Sequence, residues 1–117
     1  MKKLLIIEDD RDTLDVIGAI LEYNEYEVIE SQRKLSLQQI LEISPDIVVI
    51  DHMLTIGLGS DLCLQIKNDP STQHIPVVLC SASYKIEQIA SDSCADAFIA
   101  KPFDLDDFMR IIDGLTP

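Results

Sequence analysis

The segment Ile47-Val48-Val49-Ile50-Asp51 constrains this chain more than any other. An uninterrupted run of β-branched residues has no polar face to leave in water. It reads as a strand covered on both sides, the pattern of a parallel sheet with helices above and below. The run then stops at a carboxylate and gives way to Thr55, Gly57 and Gly59. Asp51 is therefore expected at the carboxyl end of a central strand, the edge where ligands bind in open α/β sheets.

The rest of the chain repeats strand then helix. Lys3 to Ile7 is a short apolar strand ending in Glu8, Asp9 and Asp10, and Asp12 is the expected cap of a helix with a Leu14, Ile17, Gly18, Leu21 stripe. Tyr26 to Glu30 is a weaker strand around Val28 and Ile29; the helical stripe Leu37, Ile40, Leu41 follows, closed by Pro45. After the glycines, Leu62, Cys63 and Ile66 mark a helix ending near Asn68, and Pro76 to Cys80 is a fourth strand that ends in Ser81-Ala82-Ser83. A helix over about 85–93 carries Ile86, Ile89 and Ala90, and Ala97 to Ala100 is a fifth strand ending at Lys101-Pro102. A last helix over 105–115, capped by Asp104, places Leu105, Phe108, Met109, Ile112 and Leu115 on one face. Five strands alternating with five helices predict an α/β doubly wound parallel sheet, and right-handed crossovers put every strand's carboxyl end on one rim. Residues 1–117 are expected to form a single domain with no effector domain among them.

Charge narrows the partners. With 21 acidic against 9 basic residues the net charge is −12, which argues against direct nucleic-acid binding and favours divalent cations and basic protein surfaces. The apolar residues after Met1-Lys2-Lys3 run into Glu8 too soon for a signal peptide, and no stretch is long enough to span a membrane, so a cytoplasmic location is expected. Cys63, Cys80 and Cys94 are odd in number and lie in apolar surroundings, as reduced structural cysteines do.

The rim collects Glu8, Asp9, Asp51, Ser81 and Lys101 from four strands. Any one of these alone is an ordinary loop or cap residue. Together they are not, because two negative charges about 5 Å apart repel by roughly 3 kcal/mol at an effective dielectric near 20. Such a cluster needs a cation or a proton. Oxygen donors without nearby His or Cys suit Mg²⁺, a lysine can pair with a carboxylate or a phosphoryl group, and an Asp can serve as nucleophile to give an acyl phosphate.

With these residues in this order, the chain resembles the receiver domain of two-component response regulators: Glu8-Asp9 after the first strand, Asp51 with Gly59 after the third, Ser81-Ala82 after the fourth, Phe98 in the fifth and Lys101-Pro102-Phe103 after it. The resemblance covers essentially the whole chain. It implies a CheY-like, flavodoxin-like (βα)5 fold with strand order 2-1-3-4-5. It implies Asp51 as phosphoacceptor, Glu8, Asp9, Asp51 and the backbone carbonyl of Met53 as Mg²⁺ ligands, Lys101 as the partner of acceptor and phosphoryl group, and Ser81 with Phe98 as the switch pair. The implied donor is a phosphohistidine on a histidine kinase or histidine phosphotransfer protein, with the receiver catalysing its own phosphorylation. The implied output is a downstream protein target or effector domain, and a second copy of the chain is a candidate partner.

Two positions depart from the family pattern: Thr55 stands where proline is usual, and Cys94 where glycine relieves a left-handed turn. Met53 and Ser83, two residues beyond the acceptor and the switch hydroxyl, occupy places that influence water attack on the acyl phosphate, and Met53 predicts slow self-dephosphorylation. By alternation His52 points away from the acid rim. Val16 and Ile20 flank the core stripe of the first helix as candidates for meeting the donor helix, and Ile111 does the same in the last helix for a dimer or output surface. The rival readings are a receiver-like interaction scaffold that is not phosphorylated and an Asp-nucleophile hydrolase. The second lacks the further Asp at position 53.

Overall fold

A computed structural model describes residues 1–54 and 57–116; Thr55 lies outside them. Among the described residues, β1 (Lys3–Ile7), β2 (Glu27–Ser31), β3 (Ile47–Asp51), β4 (Val77–Ser81) and β5 (Ala97–Ala100) form one parallel sheet in the order β2-β1-β3-β4-β5. Between and after them run α1 (Arg11–Tyr23), α2 (Leu37–Ile43), α3 (Gly59–Asn68), α4 (Ile86–Asp92) and α5 (Leu105–Leu115). The expected strand order is the observed one.

The pleat sorts the apolar runs into two cores. Leu4, Ile6, Ile47, Val49, Val78 and Cys80 pack against Leu14, Ile17 and Leu21 of α1 and Phe108 and Ile112 of α5. Leu5, Ile7, Val48, Ile50, Val77 and Leu79 pack on the other side against α2, α3 and α4. Alternate residues of one strand thus serve opposite layers, which is why β1 after Lys3, and β3 and β4 up to their last residues, carry no polar position. β2, an edge strand, buries neither face fully.

Several local expectations are corrected. Asp10 caps α1, its carboxylate accepting from the Thr13 backbone N–H at 3.1 Å, and Asp12 sits in the first turn. Tyr26 precedes β2 and buries its ring, its hydroxyl donating to Asp113 at 2.6 Å. α2 is capped after Ile43 by Ser44, which takes a left-handed conformation one residue before Pro45, and it begins with a Ser36–Gln39 capping box. Leu105 is exposed rather than part of the α5 core face. Cys63 and Cys80 are buried, and burial pushes their thiols up to about 11 and about 12, so both are inert. Cys94 is exposed and holds φ at 62°, so the left-handed turn after α4 is kept without its glycine.

One glycine fixes the site end of the molecule. A Cβ on Gly59 would lie 2.3 Å from the Asp51 carbonyl oxygen, so α3 begins pressed on the acceptor strand, and Gly59 N–H donates to His52 O at 2.7 Å. Gly114 of α5 has open space around the same position. Gly59→Ala should therefore destabilise the protein by about 2 kcal/mol or more through backbone overlap, while Gly114→Ala should stabilise it by about 0.5–1 kcal/mol through helix propensity. Urea denaturation of the two variants checks this; equal effects would contradict the packing of α3 on β3.

Candidate functional site

Strand ends build the site. Glu8 extends β1, its N–H donating to Ser31 O at 3.0 Å; Asp51 ends β3; and Lys101 N–H donates to Ser81 O at 2.9 Å, carrying the β4–β5 ladder one step past β5. Glu8 follows Leu4 and Ile6, Asp51 follows Ile47 and Val49, and Lys101 follows Ile99, all on the layer of α1 and α5. The three side chains therefore converge over the same face.

There the Lys101 ammonium donates to Glu8 Oε1 at 2.6 Å and to Asp51 Oδ1 at 3.3 Å. Both carboxylates are nearly buried. Asp9 joins them, and one oxygen from each of Glu8, Asp9 and Asp51 lies within 4.8 Å of the other two. The donors are all hard oxygens with no His or Cys among them, a set that fits Mg²⁺. The Gln32 side chain also reaches the site, donating to the Asp9 carbonyl at 3.3 Å. Lys34 lies over the loop after β3, where a Cβ on Gly57 would come 3.0 Å from its Nζ.

One lysine does not balance three acids. Burial, then the charge of Glu8, push the Asp51 carboxyl up to about 6, against the opposing pull of Lys101. A displacement in that direction favours the neutral acid. For Lys101, burial pulls the ammonium down, but the Glu8 hydrogen bond and the two carboxylate charges outweigh it and the net shift is upward. The lysine is therefore firmly charged, and the site still attracts a further cation.

The side chains of the remaining expected residues make other contacts. Ser81 is buried at the end of β4, and its Oγ accepts from the Ser83 backbone N–H at 3.0 Å rather than facing Asp51. Phe98 is 37% exposed on β5 and lines a shallow surface cavity with Ala90 and Ile111. Met53 turns its side chain outward, 61% exposed, and bridges to Leu58 across the loop. Val16 lines a groove of about 520 Å³ between α1 and the start of α5, together with Ile17, Leu105 and Lys101; Ile20 does not reach it. His52 is buried, and His74 is exposed. No helix among the described residues is long and apolar enough to cross a membrane.

The chain is similar to known proteins. The family model described as the response regulator receiver domain matches residues 4–113. RpaA, a DNA-binding dual master transcriptional regulator of Synechocystis, is 30% identical over 98% of this chain. ArlR, a response regulator of Staphylococcus saprophyticus, is 33% identical over 98%, and histidine kinase P4 of Formosa agariphila is 33% identical over 96%. The chain spans 49% of RpaA, 52% of ArlR and 8% of the kinase, so it matches only part of each. Among solved structures, the Mg²⁺–BeF complex of the response regulator TrrA from Thermotoga maritima superposes with a TM-score of 0.88 at 19% identity, covering 98% of this chain and 99% of that one. A response regulator receiver domain protein from Clostridium thermocellum does so at 0.87 and 24%, covering 99% and 94%. With the family match running from β1 into the last turns of α5, and the acid cluster and lysine at the carboxyl ends of the strands it spans, this chain belongs to the response regulator receiver domain family.

Proposed function

We propose that Asp51 accepts a phosphoryl group from a phosphohistidine donor, and that the acyl phosphate switches the protein between two packings that a partner distinguishes. The observation that carries this is the Lys101 ammonium held between Glu8 and Asp51 inside a cluster of three carboxylates. In the transfer, an Asp51 oxygen attacks phosphorus, the P–N bond of the donor breaks, and the donor imidazole leaves. Lys101 is positioned to follow the charge, loosening from the carboxylates to hold a phosphoryl oxygen.

Glu8, Asp9, Asp51 and the Met53 backbone carbonyl are the proposed ligands of Mg²⁺. When bound, it supplies a fixed double positive charge that offsets the crowded acids and the incoming phosphoryl oxygens. Glu8 is oriented from both oxygens: the backbone N–H of Asp10 donates to one at 3.4 Å while Lys101 holds the other.

Phosphorylation adds about −1.5 to −2 charge beside a loop end that holds the Ser81 hydroxyl. We assign Ser81 the role of meeting that charge and Phe98 the role of following it, since the Phe98 ring is partly exposed on β5. The groove beside Lys101, lined by Val16, Ile17 and Leu105, is the proposed seat of the donor helix of a histidine kinase or phosphotransfer protein. Residues 1–117 then act as one receiver, with output through contact with a second protein, a second copy or an effector domain.

The direct test is labelling with acetyl phosphate. Mg²⁺-dependent phosphorylation should appear on the wild type and fall to background in Asp51→Asn; label retained by Asp51→Asn would overturn the assignment, and a wild type that takes no label would favour the interaction scaffold. The same label should decay slowly, because the exposed Met53 thioether has no N–H or O–H with which to orient water. Met53→Asn should speed the decay severalfold, and an unchanged rate would remove that role.

Stability should report the acid cluster independently. The Asp51 carboxyl is raised in the folded state to about 6 from an ordinary 3.8, so its contribution is fully present below about pH 4 and is lost as pH rises through 6. In chelator, Asp51→Asn should match the wild type in thermal stability at pH 4 and exceed it by several degrees at pH 8. Mg²⁺ at pH 8 should raise the wild type and leave Asp51→Asn nearly unmoved. A variant less stable than the wild type at pH 8 in chelator would mean that Lys101 outweighs burial.

A further inference from the structure

Among the described residues, one buried side-chain polar atom has no hydrogen-bond partner: Nδ1 of His52, the residue next to Asp51. Leaving such a group unpaired is costly, and each instance in a folded protein calls for an explanation.

Strand geometry identifies its neighbour. His52 N–H donates to Cys80 O at 2.8 Å, continuing the β3–β4 ladder in which Val48 N–H donates to Pro76 O. The register pairs Asp51 with Cys80, so the next pair is His52 with Ser81. Both side chains follow positions buried in the layer of α2, α3 and α4: Val48 and Ile50 on β3, Val77 and Leu79 on β4. Directly paired residues on one face of a sheet lie about 5 Å apart at Cβ. His52 and Ser81 are thus neighbours on the face opposite to Glu8, Asp51 and Lys101, and among the described residues Ser81 Oγ accepts only from the Ser83 backbone N–H.

We propose that His52 is a positioning residue for the Ser81 hydroxyl: in the switched conformation its Nδ1–H donates to Ser81 Oγ and turns the Ser81 O–H toward a phosphoryl group on Asp51. In the resting packing the Ser83 N–H takes that acceptor position, and Nδ1 is left unpaired. When the loop after β4 moves, Ser81 gives up Ser83 and gains His52, so the histidine rewards the switched state. The inference rests on the phosphoacceptor role of Asp51 proposed above.

The test reads the switch only on phosphorylated molecules, so a change in labelling rate does not enter. Wild type, His52→Leu and His52→Asn are labelled with acetyl phosphate and Mg²⁺, the label is located by mass spectrometry, and the ratio of switched to unswitched protein is read from ¹³C-labelled Phe98 ring resonances. His52→Leu should lower the ratio about fivefold, the scale of one hydrogen bond. His52→Asn, whose amide N–H₂ reaches the place of Nδ1–H, should restore it. In a Ser81→Ala background His52→Leu should have no further effect. If His52→Leu does not fold, His52→Gln replaces it, since its amide reaches the place of Nε2 and leaves Nδ1 unmatched. A ratio unchanged in His52→Leu or its replacement, a loss that Asn does not restore, or a loss equally large in Ser81→Ala would overturn the proposal. Wild type that carries no label on Asp51 would overturn the phosphoacceptor role and this proposal with it.

Discussion

The ammonium of Lys101, 2.6 Å from Glu8 and 3.3 Å from Asp51, lets two nearly buried carboxylates share one end of a parallel sheet. Its reach depends on the strand order. In β2-β1-β3-β4-β5, Lys101 follows β5 while Glu8 follows β1, three strand spacings away, or about 14 Å. The lysine side chain therefore crosses β4, and the Glu8 side chain reaches from β1 to meet it. Cys80, which pairs with Asp51 and faces the same layer, is small enough to let the lysine stem pass over it. Sheet order, strand length and one small residue together deliver the charge.

The end of the sheet therefore has two sides with different tasks. Glu8, Asp51 and Lys101 extend the layer of α1 and α5, whereas Ser81 and His52 extend the layer of α2, α3 and α4. A charge added at Asp51 is felt across the strand end rather than through a helix. A hydroxyl that can turn around that end is a short physical link between the acid cluster and the loop leading into α4.

The strands were legible because a parallel sheet with both faces covered leaves long apolar runs, and their polar terminators marked the rim. Glu8, Asp9, Asp51 and Lys101 could be placed together on the expectation of right-handed crossovers alone. Side-chain direction was less legible. Pattern points to Asp12 as the cap of α1, whereas the helix starts earlier than that reading requires, at Arg11, and Asp10 takes the place. Leu105 fits the α5 stripe by spacing, yet as the first residue of the helix it has no element over it and lines the groove beside Lys101 instead. Tyr26 reads as a strand residue by propensity, but its hydroxyl is claimed by Asp113, 87 residues away in sequence. Gln32 reaches the Asp9 backbone, and Lys34 the loop at Gly57, from a segment that carries no motif, which leaves no local signal for either. The Ser36–Gln39 capping box, by contrast, is written wholly in local sequence.

A structure of the protein with Mg²⁺ and beryllofluoride, a stand-in for the phosphoryl group, addresses the account most directly. It should show the beryllium on an Asp51 oxygen, Lys101 Nζ on one fluorine and Ser81 Oγ on another, with the Ser83 contact given up. Beryllofluoride absent from Asp51 at saturating concentration, or Lys101 still seated between Glu8 and Asp51 with the adduct in place, would contradict it.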